Sequence, residues 1–234
     1  MHTPARSISC ANFAVDVARF IVEQARIAIQ ARNAFRLALA GGETPRAIHR
    51  ELVQFADQVP WEKFVITFGD ERCVPPNDAQ SNYAMALSSL LEHVSILPEN
   101  VLRMRGEIEP EVAAQEYETE LAARAAGTRE SRYVHDLILL GMGPDGHTAS
   151  LFPGSPALDE TQRNVVPAIG PKPPPQRLTF TFPLINSARH VCFLVNDAAK
   201  RPIVDEILAG RSSLPAARVQ PIAGEVTWLV GAGS

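Results

Sequence analysis

The chain is predicted to fold as α/β, with a mostly parallel open sheet flanked by helices in the doubly wound manner. Three observations carry this. Apolar residues recur in some segments with a period near 3.6 and in others as short β-branched or aliphatic runs, and the two kinds alternate along the chain. Leu137-Ile138-Leu139-Leu140 is apolar at every position, as a parallel strand covered on both faces must be. Polar or glycine-rich turns follow the strand segments, where α/β sheets place their ligands. One α/β domain over residues 1–234 is expected from this length.

The elements follow in order. Phe13, Val17, Phe20 and Ile21 form the stripe of an amphipathic helix running to about Arg32. Phe35 to Ala40 is a short strand, halted by Gly41-Gly42. Thr44 is the expected N-cap of the next helix, with Pro45 at its first position. Pro60-Trp61 turns the chain into the strand Phe64 to Phe68, and Asp70 to Gln80 reads as a polar loop. Ser81 is placed to cap a helix bearing Tyr83, Leu87, Leu90 and Leu91. Val101 to Met104 is extended, and a charged helix runs from about Pro110 to Ala126. After Leu137–Leu140 comes a Gly- and Pro-rich loop from Gly141 to Pro156. Five prolines make Pro167 to Pro175 irregular, in part polyproline II. Strands at Leu178–Phe182 and His190–Val195, a helix from about Ala198 to Leu208 and a last strand at Val226–Val230 complete the reading.

Composition narrows the function. Lys plus Arg is 22 against 26 for Asp plus Glu, a net charge of −4, so no global field draws nucleic acid or an anionic membrane. An anionic ligand must be held by a local cluster of cations. Only Lys63, Lys172 and Lys200 are lysines; the other cations are arginines. Cys10, Cys73 and Cys192 are widely spaced with no C-x-x-C pair, as in reduced cytosolic proteins. No run approaches the roughly 20 apolar residues of a membrane span. Met1 to Ser9 has no charged-then-apolar signal pattern. The expectation is a cytoplasmic protein that binds neither nucleic acid nor membrane.

Four segments directly after strands carry the possible chemistry. Gly41-Gly42-Glu43-Thr44 leads into a helix N-terminus, whose free N–H groups and dipole suit a phosphate; a tight turn with a good cap accounts for the same residues. Glu43 can help an anion only through its backbone N–H, with its carboxylate turned away. In Asp70-Glu71-Arg72, Arg72 either clamps a phosphate or pairs with its acidic neighbours. Lys200 and Arg177 are further candidate phosphate contacts, although the residues alone favour plain solvated side chains at both positions. Gly141-x-Gly143-x-x-Gly146 matches a dinucleotide-binding pattern, but the His-Thr-Ala-Ser-Leu-Phe-Pro-Gly that follows cannot form the long crossover helix such a site needs. The same loop offers His147, an imidazole able to take a proton near neutral pH, and Asp145, able to orient it. A structural histidine in a loop is the alternative. No G-x-S-x-G, H-x-x-x-H or G-x-x-x-x-G-K segment is present.

Taken together, Leu39-Ala40-Gly41-Gly42-Glu43-Thr44-Pro45, Gly69-Asp70-Glu71-Arg72-Cys73-Val74-Pro75 with Ser81-Asn82-Tyr83, Leu140 to Gly154, Pro171-Lys172-Pro173-Pro174, Arg177 to Thr181 and the Lys200 segment resemble the glucosamine-6-phosphate isomerase/6-phosphogluconolactonase family. The DGHTASLFPG stretch is the most specific and resembles the lactonase branch. A His-Ile-Gly-Phe run, which resembles the deaminase branch, is absent. Glu43 departs from the family, which commonly has a small hydroxyl residue there. The resemblance implies a Rossmann-like, sugar-phosphate isomerase/deaminase-like fold and hydrolysis of 6-phosphoglucono-δ-lactone, without metal or cofactor. It implies His147 as general base, with Asp145 beside it. Phosphate would lie among Gly42–Thr44, Arg72 and Lys200, with Gly41, Asp70, Gly143, Gly146 and Arg177 also at the site. The glycine-rich backbone at 141–146 is expected to supply donors for an oxyanion. The partner is a small sugar phosphate, and the chain a monomer or small homo-oligomer. A deaminase-type isomerase and a non-catalytic sugar-phosphate-binding module are the competing readings.

Overall fold

The computed structural model describes residues 5–126, 130 and 132–233. Six strands form one parallel sheet: β1 (Arg6–Cys10), β2 (Phe35–Leu39), β3 (Phe64–Phe68), β5 (Leu137–Gly141), β8 (His190–Val195) and β9 (Glu225–Gly231), in the order β1-β9-β8-β5-β2-β3. From β2 the chain steps to β3 on one side, then returns to build β5, β8 and β9 on the other. The strand order therefore reverses between β2 and β5, and a crevice opens there at the carboxyl ends of the strands.

Side chains alternate across the sheet, and both sets are buried. Leu37, Leu39, Leu137, Leu139, Cys192 and Leu194 pack with α1 (Phe13–Arg32), α2 (Glu43–Val53) and α3 (Asn82–Ser89). Ala38, Ile138, Leu140, Val191, Phe193 and Trp228 pack on the opposite face with α4 (Pro110–Ala125), α6 (Arg201–Leu208) and a second sheet. That is why Leu137–Leu140 is apolar throughout. The second sheet is antiparallel, in the order β4 (Asp70–Arg72), β7 (Gln176–Phe180) and β6 (Val165–Ile169). A one-turn helix, α5 (Phe182–Ile185), follows β7.

Several expectations are corrected. Asp70–Arg72 is a strand, not loop, because β7 pairs with it; three residues are too few to show a period of two. Pro167 lies within a strand. β6 is the edge of its sheet, where a missing N–H costs no ladder bond. Helix α2 starts at Glu43 with Gly42 as N-cap, so Thr44 is inside the helix rather than capping it. Helix α3 ends at Ser89, and Leu90, at φ −142°, leaves the helical region. Segment 198–208 divides into a 3₁₀ turn, Ala198–Lys200, and α6. β1 has no counterpart among the expected strands: it is an edge strand with four of its five residues exposed, and shows no apolar pattern.

Candidate active site

A cavity of about 500 Å³ opens at the strand-order reversal. It is lined by Gly41 to Thr44 after β2, by Asp70 and Arg72 of β4, by Gly143, Asp145 and His147 after β5, and by Arg177 and Lys200. Of the residues the sequence points to, Gly146 alone is not on the cavity wall. Its carbonyl accepts from Ala216 N at 3.0 Å, and it packs against Leu214. The proline segment contributes Pro171 and Lys172. Asn82, Ser150 and Phe152 also line the cavity. They are neutral residues and sit unmarked inside the motifs that carry the charged ones.

His147 is set by its own loop. Its Nδ1 lies 2.6 Å from Asp145 Oδ1, and the same oxygen accepts from His147 N at 3.2 Å. Both side chains reach solvent, at 29% exposure for His147 and 46% for Asp145. Burial pushes the Asp145 carboxyl up, but the bonds from His147 and its charge outweigh that and hold it below the ordinary value. The ring rests against Phe152, with centroids 4.5 Å apart, and lies over Gly143. A Cβ at Gly143 would sit 2.2 Å from His147 Cε1, so any larger residue there displaces the ring. With Nδ1–H donated to Asp145, the lone pair is left on Nε2. The arrangement is suited to accept a proton from a group in the cavity.

Two of the N–H groups expected as oxyanion donors, those of Gly143 and Gly146, are already engaged. Gly143 N donates to His147 O at 2.9 Å and Gly146 N to Gly143 O at 3.0 Å. They shape the loop around the ring. Thr148 Oγ1 adds a bond back to Gly141 O at 2.9 Å.

The cations converge on the cavity, and Arg72, Arg177 and Lys200 form no ion pair among the described residues. Arg72 and Arg177 are register partners across β4 and β7. Arg72 pairs with neither Asp70 nor Glu71; its Nη1 donates to the Gln80 carbonyl. Glu71 is instead buried and accepts from Arg72 N, Asn82 N, Tyr83 N and Ser81 Oγ at 2.7–3.0 Å. Burial pushes its carboxyl up against those four bonds. Arg177 is buried, and its Nε and Nη1 have no partner among the described residues; Nη2 reaches Lys172 O at 3.3 Å. Burial first, and then the Arg72 charge, lower its affinity for its proton. Lys200 is not a solvated residue of the helix: its Nζ donates to Met142 O at 2.8 Å. Glu43 is turned outward, 86% exposed and 3.3 Å from Arg46, leaving the start of α2 free of its charge. Two like charges on one rung, one with orphaned donors, are costly unless an anion joins them.

A family model for glucosamine-6-phosphate isomerases/6-phosphogluconolactonase matches residues 9–228. The chain belongs to this family. It is 39% identical over 206 residues to 6-phosphogluconolactonase of Homo sapiens, covering 86% of this chain and 79% of that one. To the protein of that name from Synechocystis it is 42% identical over 207 residues, covering 87% and 84%. Among solved structures, 6-phosphogluconolactonase from Thermotoga maritima superposes with a TM-score of 0.84 at 28% identity, covering 97% and 99%. A monomeric glucosamine-6-phosphate deaminase superposes at 0.79 with 20% identity, covering 97% of each chain, a likeness of fold.

Proposed function

We propose that the protein hydrolyses 6-phosphoglucono-δ-lactone to 6-phosphogluconate, the lactone-opening step of the oxidative pentose phosphate pathway. Relatives 36–42% identical carry the lactonase name. The observation that carries the reading is the His147–Asp145 pair on the wall of a cavity that also presents Arg72 and Arg177, neither in an ion pair among the described residues. A substrate with a phosphate at one end and an electrophilic ester at the other fits both.

The step follows from these groups. Arg72, Arg177, Lys200 and the start of α2 hold the phosphate, so that binding remote from C1 orients the carbonyl. Asp145 keeps His147 in the tautomer with a free Nε2. A water attacks C1 while its proton passes to Nε2. The tetrahedral intermediate collapses with cleavage of the bond from C1 to the ring oxygen, and His147 returns the proton to that oxygen. The products are a hydroxyl and a carboxylic acid that ionises. A lactone is an activated ester, so this route needs no covalent nucleophile. A cytoplasmic location is the accompanying reading, supported by three free thiols, two of them buried.

The test is acid release from freshly prepared δ-lactone, with the spontaneous rate subtracted, beside ammonia release from glucosamine 6-phosphate. Acid without ammonia is the expected result. Ammonia release, or no acid above the spontaneous rate, would overturn the assignment.

A further inference from the structure

The histidine loop and the glycine turn leave different strands, yet one carboxylate touches the supports of both. Asp70 Oδ2 accepts from Ser150 Oγ at 2.7 Å. Ser150 is buried, three residues past His147, and its own N–H goes to Thr179 Oγ1 at 3.1 Å. Thr179 is the register partner of Asp70 across β4 and β7, so Ser150 is pinned twice to a single rung. On the other side, Asn82 Nδ2 donates to Asp70 Oδ1 at 3.1 Å and to Asp70 O at 2.9 Å. Asn82 is buried, and its amide is packed into the glycine turn: a Cβ at Gly41 would lie 2.0 Å from Asn82 Oδ1.

Asp70 forms no ion pair among the described residues. Its two oxygens each bond a neutral, buried side chain, one from each side of the cavity. A carboxylate used this way fixes distance rather than balancing charge. In the hydrolytic reading, that distance separates the proton acceptor from the phosphate, and errors of about 1 Å in it cost up to about 10²-fold.

We propose that Asp70 is the joint that holds the His147 loop at a fixed distance from the Gly41–Gly42 turn, with Ser150 and Asn82 as positioning residues acting through it. This rests on the hydrolytic reading for its kinetic consequence, but the joint itself has a readout without substrate.

The experiment compares Ser150→Ala, Asn82→Ala and Asp70→Ala with wild type, by lactone kinetics and by amide hydrogen exchange. Ser150→Ala is expected to lower kcat about tenfold with KM within about twofold, since only the proton acceptor loses its placement. Asn82→Ala is expected to raise KM about tenfold with a smaller change in kcat, and Asp70→Ala to do both. In exchange, Ser150→Ala should expose Leu151 N–H, bonded to Thr148 O, and spare Arg46 N–H, bonded to Gly42 O. Asn82→Ala should do the reverse, and Asp70→Ala should expose both. Wild-type kcat and wild-type Leu151 exchange in Ser150→Ala would overturn the joint. So would uniform loss of protection that tracks a lower Tm in all three variants. A wild type that does not open the lactone would overturn the hydrolytic reading instead, and the exchange pattern would then decide the joint alone.

Discussion

The two ends of β5 carry similar residue types in opposite states. Before its amino end, His135 is fully buried with Nε2 2.9 Å from Thr67 Oγ1, and burial pulls its pKa down to about 3. Beside it the Asp136 carboxylate is matched by Arg32 at 2.7 Å, Arg189 at 3.4 Å and Arg36 N at 2.9 Å. Beyond the carboxyl end, His147 is part-exposed on Asp145, and Arg177 has two donors with no partner among the described residues. The amino end pairs its buried carboxylate with cations and backbone and so fixes the strand. The carboxyl end holds cations in no ion pair among the described residues and a part-exposed histidine, which the proposed ligand would complete. Residue type does not separate the ends; what each group is bonded to does.

Paired variants sharpen this contrast. The largest effect belongs to His147→Ala: kcat should fall about 10²–10⁴-fold, the usual range for a general base, with a much smaller change in KM and a near-wild-type Tm. Asp136→Ala should behave oppositely. It leaves Arg32 Nε and Arg36 N without their acceptor, while Arg189 keeps Glu130 at 2.8 Å, and should cost about 2–4 kcal/mol in denaturant unfolding, with kcat per folded molecule kept. A loss of kcat without loss of stability there would break the comparison.

Arg177→Leu should raise KM about 10–100-fold, the worth of one or two charge-assisted bonds, while Tm stays level or rises. Removing a desolvated guanidinium that faces Arg72 relieves the free protein of a cost only the ligand offsets. A Tm loss with unchanged KM would make Arg177 a structural residue. The smallest effect is in pH. His135 and His49, the latter lowered to about 4 by burial, are neutral when folded but titrate near 6.5 when unfolded. Their contribution is complete above about pH 6.5 and is lost as pH falls toward 4 and then 3, because the unfolded chain binds the extra protons. His135→Gln should therefore show a shallower loss of stability over that window than wild type.

What the sequence discloses follows from local chemistry. Leu137–Leu140 is legible because covering on both faces makes every residue apolar, and His147 because it stands in a glycine-rich loop beside Asp145. β1 and β4 are not: one is an exposed edge, the other three residues long and defined only by its pairing with β7. Pro167 misleads because an edge strand tolerates a residue that an inner strand does not. The state of Arg72 could not be read either. Two adjacent carboxylates made an ion pair the plain alternative, and only the fold turns Glu71 inward to the N-terminus of α3. Ser150 and Asn82 carry no charge and become meaningful only once Asp70 lies between them.

On the proposed route His147, held by Asp145, takes the proton from the attacking water. The most direct measurement is the single-turnover rate of acid release from fresh δ-lactone in wild type, Asp145→Asn and His147→Ala, with spontaneous opening subtracted. His147→Ala is expected at or near the spontaneous rate and Asp145→Asn between it and wild type, all three binding 6-phosphogluconate with similar Kd. Wild-type turnover in His147→Ala would contradict that route.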